Sequence, residues 1–205
     1  MKAIVRAVLL DADARDAGKL TDPQWGKVRE PVLRLSNWAR CFGATSASGN
    51  WTIRGLDSPS TSLGQQPFRA PSVFNYYRPG YAPPNTAIAT AGLVAPEFQI
   101  VGETSVVGYV NFMHGVISAG AGVAVNGVRD VRASYTAEQA IADNADALID
   151  RVDRCLTNGS MPAVTRQEIR NAVNAISLTA TNGRANRVYT AILLTMASPD
   201  YLVQK

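Results

Sequence analysis

The chain has 205 residues, of which 46% are hydrophobic and 18% charged, and its net charge is +4 from 20 basic and 16 acidic groups. That length predicts one domain able to bury its own core, and that mix excludes a disordered, collagen-like or coiled-coil chain. A mild basic excess with no basic face gives no expectation of nucleic-acid binding. His114 is the only histidine and Cys41 and Cys155 are the only cysteines, so a multi-histidine metal site is excluded and neither metal nor cofactor is expected.

In chain order, residues 2–10 read as a short helix with Ile4, Val5, Val8 and Leu9 on one face. Its apolar run is too short and too interrupted for a signal peptide. Residues 11–28, with Pro23 and Gly26, read as a connection. Residues 31–42 read as a second helix: Pro31 suits the first helical position, Glu30 the positive end, and Gly43 the stop. Leu35, Trp38 and Phe42 recur at helical spacing and are assigned to the core. Residues 50–56 suggest a short strand or extended segment, which closes an N-terminal helical region over 1–57.

Residues 58–96 are rich in proline: Pro59, Pro67, Pro71, Pro79, Pro83, Pro84 and Pro96. Between 67 and 81 stand Phe68, Phe74, Tyr76, Tyr77 and Tyr81. The prolines forbid long helices and central strands, and the rings argue against a disordered linker. The expectation is a long ordered loop pinned by buried rings, of a length that is often functional.

Residues 97–135 predict a central helix over 97–119 and a Gly-rich turn. From Thr104 to Val128 there is no formal charge, which raises a membrane-spanning alternative. On the helical wheel, however, Glu97, Thr104, Gly108, Asn111, Gly115 and Ser118 share one stripe with His114 at its edge. That stripe suggests close packing against another backbone rather than lipid. Residues 136–205 predict a three-helix bundle. Its helices cover 137–157, opened by a Thr136/Gln139 capping box, then a segment opened by Thr165/Glu168, then 184–197. Asp150 and Arg154 are spaced to pair across one turn. The cysteine spacing matches no metal or redox motif; two buried thiols are the simpler reading and one disulfide is the alternative.

Three constellations could carry chemistry. Glu97, Asn111 and His114, with Arg78 or Tyr77 brought over by the loop, would make a hydrolase-like acid-base site. A buried polar seam that satisfies the loop backbone is the simpler reading. The rings of Phe74, Tyr76, Tyr77 and Tyr81, with Trp51, could stack on sugar rings or bases while Arg69 and Arg78 hold an anion; loop anchoring is again the simpler reading. Arg166, Arg170, Arg184 and Arg187 lie on the last two helices but are offset by eight acids over 129–205, so a helix-turn-helix reading is weak. No nucleophile-elbow, phosphate-loop, dinucleotide or zinc-protease motif occurs.

Several strings resemble the domain-of-unknown-function 1800 family: Gly26-Lys27-Val28-Arg29-Glu30-Pro31-Val32-Leu33-Arg34-Leu35, Leu63-Gly64-Gln65-Gln66-Pro67, and Ala70-Pro71-Ser72-Val73-Phe74-Asn75-Tyr76-Tyr77-Arg78-Pro79-Gly80-Tyr81. Leu93 to Ile100 and Ala197 to Gln204 fit it as well. The resemblance implies a bacterial, mostly helical protein with no established activity. It implies that many members are exported and that many are encoded beside a sulfatase-like partner. It also implies family chains more than twice this length, with this sequence matching their C-terminal part. A helix beginning at Met1 without a signal peptide is in keeping with that.

The resulting expectation is a single mainly α domain over 1–205 that acts as a non-catalytic structural or partner-binding module of an exported or envelope protein, periplasmic or extracellular. Its partners would be the preceding half of a longer family chain or the co-encoded sulfatase-like protein, with no nucleic acid and no transmembrane span. The alternatives are a hydrolase-like enzyme and a carbohydrate-binding loop.

Overall fold

The computed structural model describes residues 1–205, side chains included except at Asp13. The fold is mainly α, with small antiparallel sheets, and no helix is long and apolar enough to cross a membrane among the described residues. Helix α1 (Lys2–Leu10) forms where the 3.6-residue spacing placed it, but it buries none of its residues. Ile4, Val8 and Leu9 are 65, 63 and 64% exposed. The connection after it contains the short helix α2 (Ala12–Arg15) and a 3-10 turn (Ala17–Leu20) capped by Asp16, which accepts from the Gly18 amide at 2.8 Å.

Strand β1 (Lys27–Val28) leads into α3 (Pro31–Cys41). Trp38 on α3 is fully buried, and its indole N–H donates to the Tyr135 hydroxyl at 2.8 Å, so the ring's one polar atom is satisfied inside the core. Cys41, at the end of α3, is joined to Cys155 in a disulfide with a Cα–Cα distance of 5.7 Å, which replaces the two-thiol reading.

The extended segment expected at 50–56 forms no strand; the strand is β2 (Thr45–Ser46) instead. The reason is Asp130. Its carboxylate accepts from the Ser46 hydroxyl at 2.6 Å, the Ser48 amide at 2.7 Å and the Ser48 hydroxyl at 3.0 Å. Those bonds curl residues 46–50 into a turn and hold the Asp130 carboxyl below its ordinary range, the Ser46 bond first.

Residues 58–96 contain one regular element, α4 (Ala87–Thr90). The anchors of this loop differ from those expected. Phe68 and Phe74 are exposed, and Tyr76, Tyr77 and Tyr81 are only partly buried. Leu56 and Leu63 enter the core instead. Polar side chains tie the rest: the Gln66 side chain accepts from the Leu56 amide at 2.9 Å, and the Tyr76 hydroxyl both donates to the Gln66 carbonyl (2.8 Å) and accepts from its amide (2.9 Å). Backbone satisfaction by these side chains, not ring burial, is what ties the loop to the rest of the chain.

The central helix also departs from expectation. Pro96–Ile100 is a 3-10 turn, the chain extends at Val101 and Gly102, and helix α5 runs from Glu103 to Ala119. Glu97 is therefore not on the helix that carries Asn111 and His114. On α5, Thr104, Asn111, His114, Gly115 and Ser118 are exposed rather than forming a buried seam. Gly108 alone meets another backbone: an added Cβ there would overlap the Pro59 carbonyl.

The Gly-rich turn is a hairpin. Strands β3 (Ala121–Val125) and β4 (Val128–Arg132) pair antiparallel, and β2 adds to β4, giving the order β2-β4-β3. Asn126 and Gly127 both have positive φ, 53° and 79°, as a two-residue hairpin turn requires.

The single helix expected over 137–157 is two, α6 (Thr136–Ala140) and α7 (Ala145–Leu156). Asn144 causes the break by capping α7, its side chain accepting from the Ala147 amide at 3.1 Å; Thr136 caps nothing. Helix α8 (Ala163–Asn174) starts after Pro162, so Thr165 lies inside it and donates to Asp200 at 2.6 Å instead of capping. Helix α9 (Gly183–Ala197), the one-turn α10 (Pro199–Leu202) and β5 (Val203–Gln204) complete the chain. Strand β5 pairs antiparallel with β1, joining both ends of the core. Helix α9 packs on α5, α7 and α8, and Tyr109 of α5 donates to the Met196 carbonyl at 3.1 Å. Met113, Leu148, Ile149, Val188, Ile192 and Tyr201 fill the space between them.

Candidate functional site

The loop brings one group of polar side chains together at the start of α3. The Gln65 side chain accepts from the Val32 amide at 3.2 Å, which satisfies one of the free donors of the helix N-terminus. Its amide nitrogen donates to Glu30. The Glu30 and Glu97 carboxylates both lie close enough to act on the Tyr77 hydroxyl. Burial, followed by Glu30 and Glu97, pushes the Tyr77 hydroxyl well above the ordinary phenol range, so Tyr77 stays a proton donor.

Glu97 itself is 9% exposed, and its Oε2 is the one buried side-chain oxygen or nitrogen without a hydrogen-bond partner among the described residues. A buried carboxylate oxygen left unpaired costs free energy, of order 1–3 kcal/mol or more for a charged group. The corner therefore holds one polar atom that the described residues leave unsatisfied. It lacks a nucleophile, and among the described residues no group of three His, Cys, Asp or Glu side chains could hold a metal ion.

The four residues of the acid-base hypothesis are not assembled. Glu97 sits in the 3-10 turn beside Tyr77. Asn111 lines a separate groove of about 470 Å³ whose wall also includes Arg54, Phe112, Gly115 and Arg129. His114 is exposed one turn further along α5. Arg78 is exposed, and it is its backbone amide that is engaged, donating to the Gln99 side chain at 2.8 Å.

The aromatic set is also divided. Trp51 lies beside the hairpin, its amide donating to the Ser46 hydroxyl at 3.2 Å, while the 67–81 rings belong to the other loop. The hydroxyl of Tyr76 is used to hold Gln66, that of Tyr77 to meet Glu30, and Arg69 pairs with Asp57 at 3.1 Å. The four arginines of the bundle are engaged internally: Arg166 with Asp150 and Asp153, Arg170 with Asp146, Arg184 with Asp143, and Arg187 with the Ile176 and Ala142 carbonyls.

Glu30, Gln65, Arg54 and Arg129 were not singled out from the sequence. Glu30 reads there as a helix-dipole residue, and nothing in the spacing of Gln65 reveals that it caps a helix 33 positions away. Arg129 belongs to β4 and Arg54 meets it across the groove beside the hairpin, and the sequence reads that hairpin only as a Gly-rich turn.

Comparison with known proteins adds the family. A model described as "Protein of unknown function (DUF1800)" matches residues 1–203, so the chain belongs to that family. No curated protein and no solved structure matches it.

Proposed function

We propose that this DUF1800 chain is a non-catalytic structural or partner-binding module of an exported bacterial protein. The observation that carries the reading is the exposed apolar face of α1, where Ile4, Val5, Val8, Leu9 and Leu10 touch no core. A contiguous apolar face of this kind marks a surface meant to be covered. The occupant we propose is the polypeptide that precedes this segment in the longer chains the family resemblance implies. Two further observations support the reading. Glu97 has an unanswered oxygen, and the acid-base candidates are dispersed over separate surfaces. The Cys41–Cys155 disulfide supports export, since such bonds persist in oxidising compartments.

The test is co-elution in size-exclusion chromatography of the 205-residue chain with the preceding half of a full-length family member, expressed as a separate polypeptide. Co-elution is expected, with at least a tenfold loss of affinity in the Ile4→Asp/Val8→Asp double variant and no fall in its own melting temperature. Equal co-elution of the variant, or a lower melting temperature, would overturn the reading.

A further inference from the structure

An apolar cavity lies between α5, the 96–100 turn and the C-terminal segment, with a volume of about 240 Å³. Phe98, Ile100, Val106, Tyr109 and Leu202 form part of its wall, and Arg34 is the one charged side chain in it. Arg34 is 5% exposed. Its Nε–H donates to the Arg29 carbonyl at 2.7 Å, and its guanidinium lies over the Tyr109 ring at 4.6 Å. Among the described residues it has no ion pair. The groups acting on its charge are Tyr109, Tyr201 and Arg29, none of them a carboxylate. Arg29 is a second cation, stacked on Tyr201 at 4.5 Å.

The other buried arginine is different. Arg187 spends its Nε and one Nη on the Ile176 and Ala142 carbonyls, closing the ends of helical segments. Arg34 links to one backbone carbonyl only, that of Arg29, its guanidinium otherwise meets the Tyr109 side chain, and it borders empty apolar space. A buried cation is costly unless an anion answers it. The guanidinium fork matches a carboxylate in two parallel hydrogen bonds. An apolar wall with one convergent charge selects a ligand that is hydrocarbon except at one end.

We propose that this cavity binds a medium-chain fatty acid, its carboxylate on the Arg34 guanidinium and its chain along Phe98, Ile100, Val106 and Leu202. The site is separate from the α1 face and stands or falls independently of the docking role given above.

Calorimetric titration of the full chain with decanoate, against decanol as the uncharged control, tests it. Val106→Trp fills the mouth of the cavity from a half-exposed position and should leave the fold intact. Arg34→Gln removes the charge, with its melt recorded because the site is buried. The expected result is saturable binding of one decanoate per chain, a raised melting temperature, and at least tenfold weaker binding of decanol. Decanoate should also bind at least tenfold more weakly to Val106→Trp. Equal affinity for decanol, or an unaffected Val106→Trp variant, would overturn the proposal. So would tenfold tighter binding of a hydrophobic peptide through its C-terminal carboxylate.

Discussion

The bundle of α6 to α9 and the region from α1 to the start of α5 use the same kinds of residue to opposite ends. In the bundle each buried charge is answered from within. Asp153 accepts from Arg166 at 2.9 Å, from the Met161 amide at 3.1 Å and from the Thr157 hydroxyl, and Glu138 accepts from Arg151 at 2.5 Å. In the other region Glu97 has an unpaired oxygen, Arg34 has no carboxylate, and α1 has an apolar face with nothing on it. The first region is a finished structure. The second has groups in search of partners, which is where binding is to be sought.

That contrast can be broken or sharpened by substitution. The largest effect belongs to Asp153→Ala, which strands the Met161 amide and leaves Arg166 only its pair with Asp150; with these hydrogen bonds to a buried carboxylate lost, a fall of roughly 3–5 kcal/mol is expected in urea denaturation, and a loss near zero would deny that the bundle's network is structural. Next is Cys41→Ser/Cys155→Ser. The disulfide spans a separation of 114 residues and ties α3 to α7, so its removal should cost roughly 2–5 kcal/mol, measured under oxidising conditions against the disulfide-bonded wild type.

A pH titration probes the seam between the two regions, where Tyr109 and Tyr201 meet Arg34 and Arg29. Burial pushes the Tyr201 hydroxyl up to about 12, outweighing the pull of Arg29 and then Arg34, and burial raises Tyr109 as well. A folded-state value above the unfolded one means that the stabilising contribution is complete below about pH 10. It declines as pH rises through about 12. Melting temperature should therefore fall on that alkaline limb. The smallest effect is predicted for Glu97→Gln, because no bond to its Oε2 exists to be lost. Stability should stay the same or rise by about 1 kcal/mol, whereas a loss above that would show that Glu97 already has its partner.

The two regions were not equally legible in the sequence. Helices α1, α3, α8 and α9 follow from apolar spacing, and Trp38 and Val188 lie in the core as that spacing implies. The breaks were missed because each depends on one short-range cap: the Asn144 side chain for α7, and the Ser105 hydroxyl, which accepts from the Gly102 amide at 2.8 Å, for α5. Asn144 splits one apolar helix pattern into α6 and α7, and Gly102 separates Glu97 from α5. The hairpin signal, Asn126-Gly127, stood inside an uncharged run that read as an undivided turn. For the candidate site, Glu97 was picked out but for the wrong company. Periodicity places a residue on a helix face, yet only the path of the Pro-rich loop sets Tyr77, Gln65 and Glu30 around it. Whether an apolar face is covered is likewise a tertiary fact, and α1 shows it: its apolar residues recur at helical spacing, yet none of them is buried.

The most direct test is amide hydrogen exchange on the 205-residue chain, read segment by segment. Residues 2–10 should exchange with little protection while α5, α7 and α9 are protected to the level of global unfolding, and adding the preceding half of a full-length family member should slow exchange in α1 alone. Protection of α1 in the isolated monomer equal to that of α9 would mean that the chain covers this face itself, and the account of an unfinished region would be wrong.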